Sequence, residues 1–123
     1  MEDIYKAIYK SFEILNFEDN WDDEGAKKIS RINFINALIF LLNIIRIVGE
    51  NSIPLYLTAG PDGSVDLCTT RTKVGFLMNF SEKRTVCYGI NYETGDEIKF
   101  EIQPGIVKPD YDLIKWIKTN LVI

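Results

Sequence analysis

Histidine is absent from the 123-residue chain, and cysteine occurs only twice. Without imidazole there is no Ser-His or Cys-His pair, no histidine-ligated zinc and no general base that titrates near neutrality. Two cysteines cannot make a disulfide scaffold or a four-thiolate metal site. Basic residues are outnumbered, 14 Lys and Arg against 18 Asp and Glu, for a net charge of −4 and a pI near 4.8. Nucleic-acid binders normally carry a basic footprint, so nucleic acid is not an expected partner. The densest apolar run, 37–48, contains Asn43 and Arg46 and falls short of the ~20 residues that span a bilayer, so no membrane partner is expected. Met1, Glu2 and Asp3 lack the basic and apolar regions of a signal peptide. Together these features lead us to expect a cytoplasmic protein with reduced thiols.

What is present is an ordinary globular balance, 46% hydrophobic and 12% aromatic, too apolar for disorder and long enough for one core. A single domain over 1–123 follows. Charge is uneven: residues 1–25 hold eight acids and two bases, and the remainder holds ten acids and twelve bases. Ile4, Ala7, Ile8 and Leu15 recur at helical spacing, with Phe12 alongside, and predict a helix over 3–15. Residues 16–28 read as a loop, because Gly25 and the carboxylates disfavour further helix. Ser30 and Gly49 frame a second helix over 31–48 as N-cap and C-terminal glycine. Its polar residues Asn33, Asn36, Asn43 and Arg46 form one narrow stripe. A helix so nearly apolar around its circumference is expected to be the most buried element, with the sheet on one side and another helix beside it. A homodimer interface is the other use of such a surface.

From residue 53 the period changes to two. Runs at 53–59, 64–70, 73–80, 84–90 and 97–102 read as strands, separated mostly by turn residues. Short connections predict an antiparallel meander. Alternation assigns Leu55, Leu57, Val65, Leu67, Val74, Phe76, Met78, Phe80, Val86, Tyr88, Ile90, Ile98, Phe100, Ile102 and Ile53 to the core face. It assigns Tyr56, Asp66, Cys68, Leu77, Cys87, Gly89 and Lys99 to the open face. A last helix spans 110–121 behind Pro109. The expected fold is α+β in two layers: a mainly antiparallel five-stranded meander sheet, two N-terminal helices and one C-terminal helix.

The chemistry is sparse. Asn20, Asp22, Glu24 and Gly25 match the first positions of a calcium loop, but Arg31 stands where the bidentate Glu belongs. Asp62, Glu97 and Lys99 imitate a metal-dependent nuclease pattern, yet a meander places them on a hairpin tip and a distant strand. Cys68 and Cys87 fall on alternate strands of one face, ~9.5 Å apart, too far for a disulfide. No cofactor, catalytic residue or metal site is expected. The candidate contact surfaces are the acidic loop around Trp21, Asp22, Asp23 and Glu24, and an apolar patch on the open face around Tyr56, Leu77, Cys68 and Cys87.

Asn20-Trp21-Asp22-Asp23-Glu24-Gly25-Ala26, the apolar helix behind it, and Pro61-Asp62-Gly63 leading into Ser64-Val65-Asp66-Leu67 resemble a group of small bacterial and phage proteins. That group carries an N-W-D-G-x-G-A motif and a P-D-G hairpin. Here Asp23 replaces its glycine, and Cys68-Thr69 stands where it often has Glu-Trp. The resemblance implies no established activity. It implies a stand-alone accessory protein of a mobile-element or defence locus, and shared architecture for the Trp21 loop and the Asp62 hairpin. The expected function is non-enzymatic: a small acidic protein that binds another protein, as an inhibitor, immunity or antitoxin-like factor. The alternatives are a metal-dependent nuclease or phosphodiesterase, and a small-ligand or nucleotide binder on the open face.

Overall fold

A computed structural model of the chain describes residues 4–49 and 54–122. In chain order they form α1 (Ile4–Ser11), a 3-10 turn (Phe12–Asn16), α2 (Arg31–Val48), β1 (Leu55–Ala59), β2 (Val65–Thr69), β3 (Val74–Phe80), β4 (Thr85–Asn91), β5 (Glu97–Ile102) and α3 (Tyr111–Asn120). The five strands lie in sequence order, each antiparallel to the next. The fold is thus the α+β meander that the period-two runs predict. Residues 3 and 53, assigned by sequence to the first helix and first strand, lie outside the described residues.

Local chemistry sets the helix ends. The Ser30 hydroxyl accepts the Asn33 amide hydrogen at 3.4 Å. At the other end Gly49, at φ 103°, turns the chain out of the helix while its N–H still bonds Ile45 O at 2.8 Å. Asp110 caps α3 by accepting from Leu113 N at 2.8 Å. Arg71, in the β2–β3 connection, reaches the far end of α3 and donates to the carbonyls of Asn120 and Leu121 at 3.4 and 3.5 Å. A cation at a helix C-terminus satisfies carbonyls that the helix leaves open. This tie accounts for a connection with no hairpin-turn residues of its own.

α2 packs across β1, β2 and β3, with Phe40 meeting Phe80 edge to face at 5.5 Å. Beside it α3 sets Trp116 in a stack with Phe76 at 5.9 Å. One continuous cluster joins both helices to the inner sheet face through Leu41, Ile44, Leu67, Met78, Leu113 and Ile117. Each such side chain stabilises the fold by roughly 1.5–3 kcal/mol on burial. α1 lies against the free edge of β1, where the Leu57 amide donates to Ser11 Oγ at 3.2 Å. An edge amide that would otherwise recruit a foreign strand is thereby occupied.

Two expectations are corrected. First, the faces of β4 are inverted. Thr85, Cys87 and Gly89 point into the core, and Val86, Tyr88 and Ile90 point out. The four-residue connection 81–84 pairs Phe80 with Thr85 and Met78 with Cys87, and residues directly opposite share a face. The larger side chains of β3 fill the inner layer, and the Trp116 ring occupies the space above Gly89, where a Cβ would come within 2.8 Å of it.

Second, α2 is not buried all round. Seven of its 18 residues are buried, against four of seven in β3. The supposed polar stripe faces protein at two of its members. Asn33 is buried and donates to Gly63 O at 3.1 Å, and Asn43 donates to Val107 O at 2.9 Å. The side turned to solvent carries Ile32, Ile35, Ile39 and Leu42, each at least 39% exposed. By length and composition α2 could also cross a membrane, but here its inner face is docked on the sheet.

Candidate functional site

The acidic loop is closed by its own side chains. Asp22 Oδ1 accepts the backbone N–H groups of Glu24 and Ala26 at 2.9 and 3.0 Å. These bonds hold the Asp22 carboxyl below its ordinary range. Asn20 Oδ1 accepts from Gly25 N at 2.7 Å, and Asp19 Oδ1 from Lys28 N at 2.9 Å. Trp21 donates its indole N–H to Lys27 O at 3.0 Å and packs its ring on Phe17, centroids 5.1 Å apart. Asn20 and Asp23 take the left-handed conformation, φ 64° and 61°, which short polar side chains tolerate better than most. The oxygens that a calcium loop would turn inward, on Asn20 and Asp22, are directed at the loop's own amides. Asp23 and Glu24 remain exposed.

This loop and the Asp62 hairpin are in contact. Lys27 N donates to Pro61 O at 2.8 Å, Ser30 N donates to Gly63 O at 2.9 Å, and Asn33 adds its amide to the same carbonyl. Lys27 and Asp62 form an isolated parallel bridge. Asp62 in turn accepts from the amide and hydroxyl of Ser64, and those contacts, the hydroxyl first, lower its pKa. The acidic loop and the Asp62 hairpin therefore brace each other, and this is a structural use of both.

The outer sheet face is built in rows by strand register. One row runs Tyr56, Cys68, Leu77, Tyr88, Lys99. The next runs Thr58, Asp66, Asn79, Val86, Glu101. Asn79 donates to Asp66 Oδ1 at 2.7 Å and to Ser64 Oγ at 2.8 Å. Burial nevertheless raises the Asp66 carboxyl, against that hydrogen bond and with the help of Asp62. Tyr92 folds over Gly75, at the β3 end of a third row with Ile90. Burial, and then Cys68, raises the Tyr56 phenol. No helix among the described residues covers Leu77 or Tyr88, which are 44% and 42% exposed. Charges rim the row: Tyr88 Oη donates to Glu97 at 3.3 Å, Arg84 pairs with Glu101 at 3.4 Å, and Lys73 pairs with Glu93 at 3.0 Å.

Of the residues singled out by sequence, the structure groups Trp21, Asp22, Asp23 and Glu24 in the loop, and Tyr56 with Leu77 on the outer face. Cys87 leaves the patch for the core, and Tyr88, Val86 and Ile90 take its place. Loop length was the signal that could have shown this, because four residues between β3 and β4 fix the pairing of Phe80 with Thr85. The two thiols now stand on opposite faces. Burial pushes Cys68 up to about 11 and Cys87 up to about 12. Asp62, Glu97 and Lys99 do not converge. Asp62 lies in the β1–β2 turn, while Glu97 and Lys99 stand on β5 at the opposite edge of the sheet. Among the described residues no three metal-ligating side chains gather. No family model, curated protein or solved structure matches the chain.

Proposed function

We propose that the chain acts by binding another protein, and that the outer face of the sheet is its contact surface. The row Tyr56, Cys68, Leu77, Tyr88 carries this reading. It is an apolar strip across four strands, on the face opposite both packed helices, with charged pairs around it. An apolar centre within a polar rim is the usual anatomy of a protein contact, and tyrosines supply much of the binding energy where they occur. The strip is rigid, since every residue in it sits in a ladder of five paired strands. The small size and net acidity fit an inhibitor-like or immunity-like accessory role. The Trp21 loop supports the fold, and its exposed carboxylates, among them Asp23 and Glu24, are left to add charge at a contact.

The test uses affinity capture to identify a partner, followed by titration of the two purified proteins. Leu77→Arg and Tyr88→Ala should each weaken a one-to-one complex at least tenfold, about 1.4 kcal/mol, with unfolding midpoints close to wild type. Unchanged affinity in both variants removes the sheet face as the contact surface.

A further inference from the structure

A second surface lies on the other side of the molecule, where α2 turns away from the sheet. Ile32, Ile35, Ile39, Leu42 and Arg46 follow one another at spacings of three and four. That is the spacing of a coiled-coil seam sustained for two heptads. The four aliphatic members are exposed, Ile32 to 67%. Such a ridge on a water-facing helix is unusual, because the seam of an amphipathic helix normally faces the core. α2 already satisfies that rule with a different set: Phe34, Ala37, Phe40, Leu41, Ile44 and Ile45 are buried on its inner side. It is an α-helix with two apolar faces, and among the described residues only one is covered.

Charge decides what could cover the other. α2 contains no acidic residue, and Arg31 and Arg46 stand near its two ends, ~22 Å apart at ~1.5 Å per residue. Both are exposed, and neither makes an ion pair among the described residues. A second copy of this chain is a poor fit. Laid parallel, each arginine meets itself. Laid antiparallel about the point between Leu38 and Ile39, Arg46 meets Arg31 of the copy, with no carboxylate on either helix to offset the repulsion. An anionic lipid surface is a poor fit too. Two arginines contribute only ~1 kcal/mol each there, and the whole chain at −4 is repelled by it.

We propose that this ridge holds an amphipathic helix of another protein, one whose apolar seam is flanked near both ends by Asp or Glu. Helix in groove is a recurrent mode of recognition, and acids placed against Arg31 and Arg46 fix the register as flanking charges do in coiled coils. The surface is separate from the sheet face, so the inference stands or falls apart from the function proposed above. One helix-on-helix contact lies at the low end of specific interfaces, so the affinity should be micromolar.

The test titrates the full chain with two labelled peptides of about 21 residues, three heptads each. They share a Leu/Ile seam; one carries Glu on its flanks and the other Lys. The Glu peptide should bind at least tenfold more tightly. Ile39→Glu should abolish binding, Arg31→Glu/Arg46→Glu should invert the preference between peptides, and Leu77→Arg should change nothing. Circular dichroism confirms that each variant is folded, and the arginine variant leaves the ridge itself intact. Equal binding of both peptides, or binding of neither, overturns the proposal. So does ridge-dependent dimerisation in sedimentation, or ridge-dependent binding to vesicles of phosphatidylcholine and phosphatidylglycerol.

Discussion

The side-chain amide of Asn33 donates to the carbonyl oxygen of Gly63 at 3.1 Å, joining the first turn of α2 to the β1–β2 turn thirty residues away. The same oxygen receives Ser30 N–H, so one carbonyl anchors the helix start to the sheet. Asn33 is buried. Asn33→Ala should therefore cost about 1–3 kcal/mol, seen as a lower urea midpoint with an unchanged slope. A loss smaller than about 0.5 kcal/mol, the scale of ordinary surface substitutions, would show that the tie contributes nothing.

Two glycines in neighbouring strands should respond differently to alanine. At Gly89 the added methyl meets the Trp116 ring at 2.8 Å inside the core, and at Gly75 it meets the Tyr92 hydroxyl at 2.7 Å on the outer face. Trp116 is hemmed in by Phe76 and the rest of the core, whereas Tyr92 is exposed and can swing away. Gly89→Ala should cost about 1–3 kcal/mol by overpacking, and Gly75→Ala much less. Thermal unfolding of the pair tests the β4 register directly, because in the opposite register Gly89 would join Gly75 on the outer face and the difference would vanish.

Acid should act on Asp66 and Asp22 in opposite directions. Burial raises the folded pKa of Asp66, so the folded chain holds this proton to higher pH than the unfolded chain does. Stability then falls as pH rises from about 3.8 through the folded pKa, and the penalty is in full force at neutrality. Asp66→Asn should raise the urea midpoint at pH 7 and leave it nearly unchanged at pH 3. The backbone bonds to Asp22 lower its pKa, so its contribution is present above 3.8 and lost as pH falls through the lowered value. Asp22→Ala should therefore lower stability at pH 7 and not at the acid end. Urea titrations at both pH values check the two signs together.

The thiols should be sluggish. Cys87 faces the core and Cys68 the outer side of the sheet, and both pKa values lie far above 8, at about 12 and about 11. Since the thiolate is the reactive form, alkylation at pH 8 should be slow in the native state, with Cys68 modified first. Denaturant should expose both at once. An intramolecular disulfide formed by the native protein under mild oxidant would contradict their placement on opposite faces.

Sequence by itself carried the meander. Period-two runs separated by short turns leave antiparallel neighbours as the simple solution, and Ser30, Gly49 and Pro109 marked helix ends to within a residue or two. It also drew attention to the Trp21 loop and the Asp62 hairpin, since dense carboxylates, glycine and proline announce special backbone. It could not tell that the two stretches meet, because hydrogen bonds between Lys27 and Pro61 or Asn33 and Gly63 depend on where α2 sits on the sheet.

Tertiary structure decided the faces of β4 and the exposure of α2. In Thr85-Val86-Cys87-Tyr88-Gly89-Ile90 the bulkier residues alternate with smaller ones, and alternation alone sends the bulkier set inward. Pairing with β3 and the bulk of Trp116 leave room for the smaller set instead, so Tyr88 comes to the surface beside Leu77. Likewise an all-apolar helix reads as buried until it is known how many partners surround it. A two-layer fold gives α2 one sheet and one neighbouring helix, and that covers only part of its circumference. Both candidate contact surfaces therefore arise from packing geometry, which local sequence pattern does not encode.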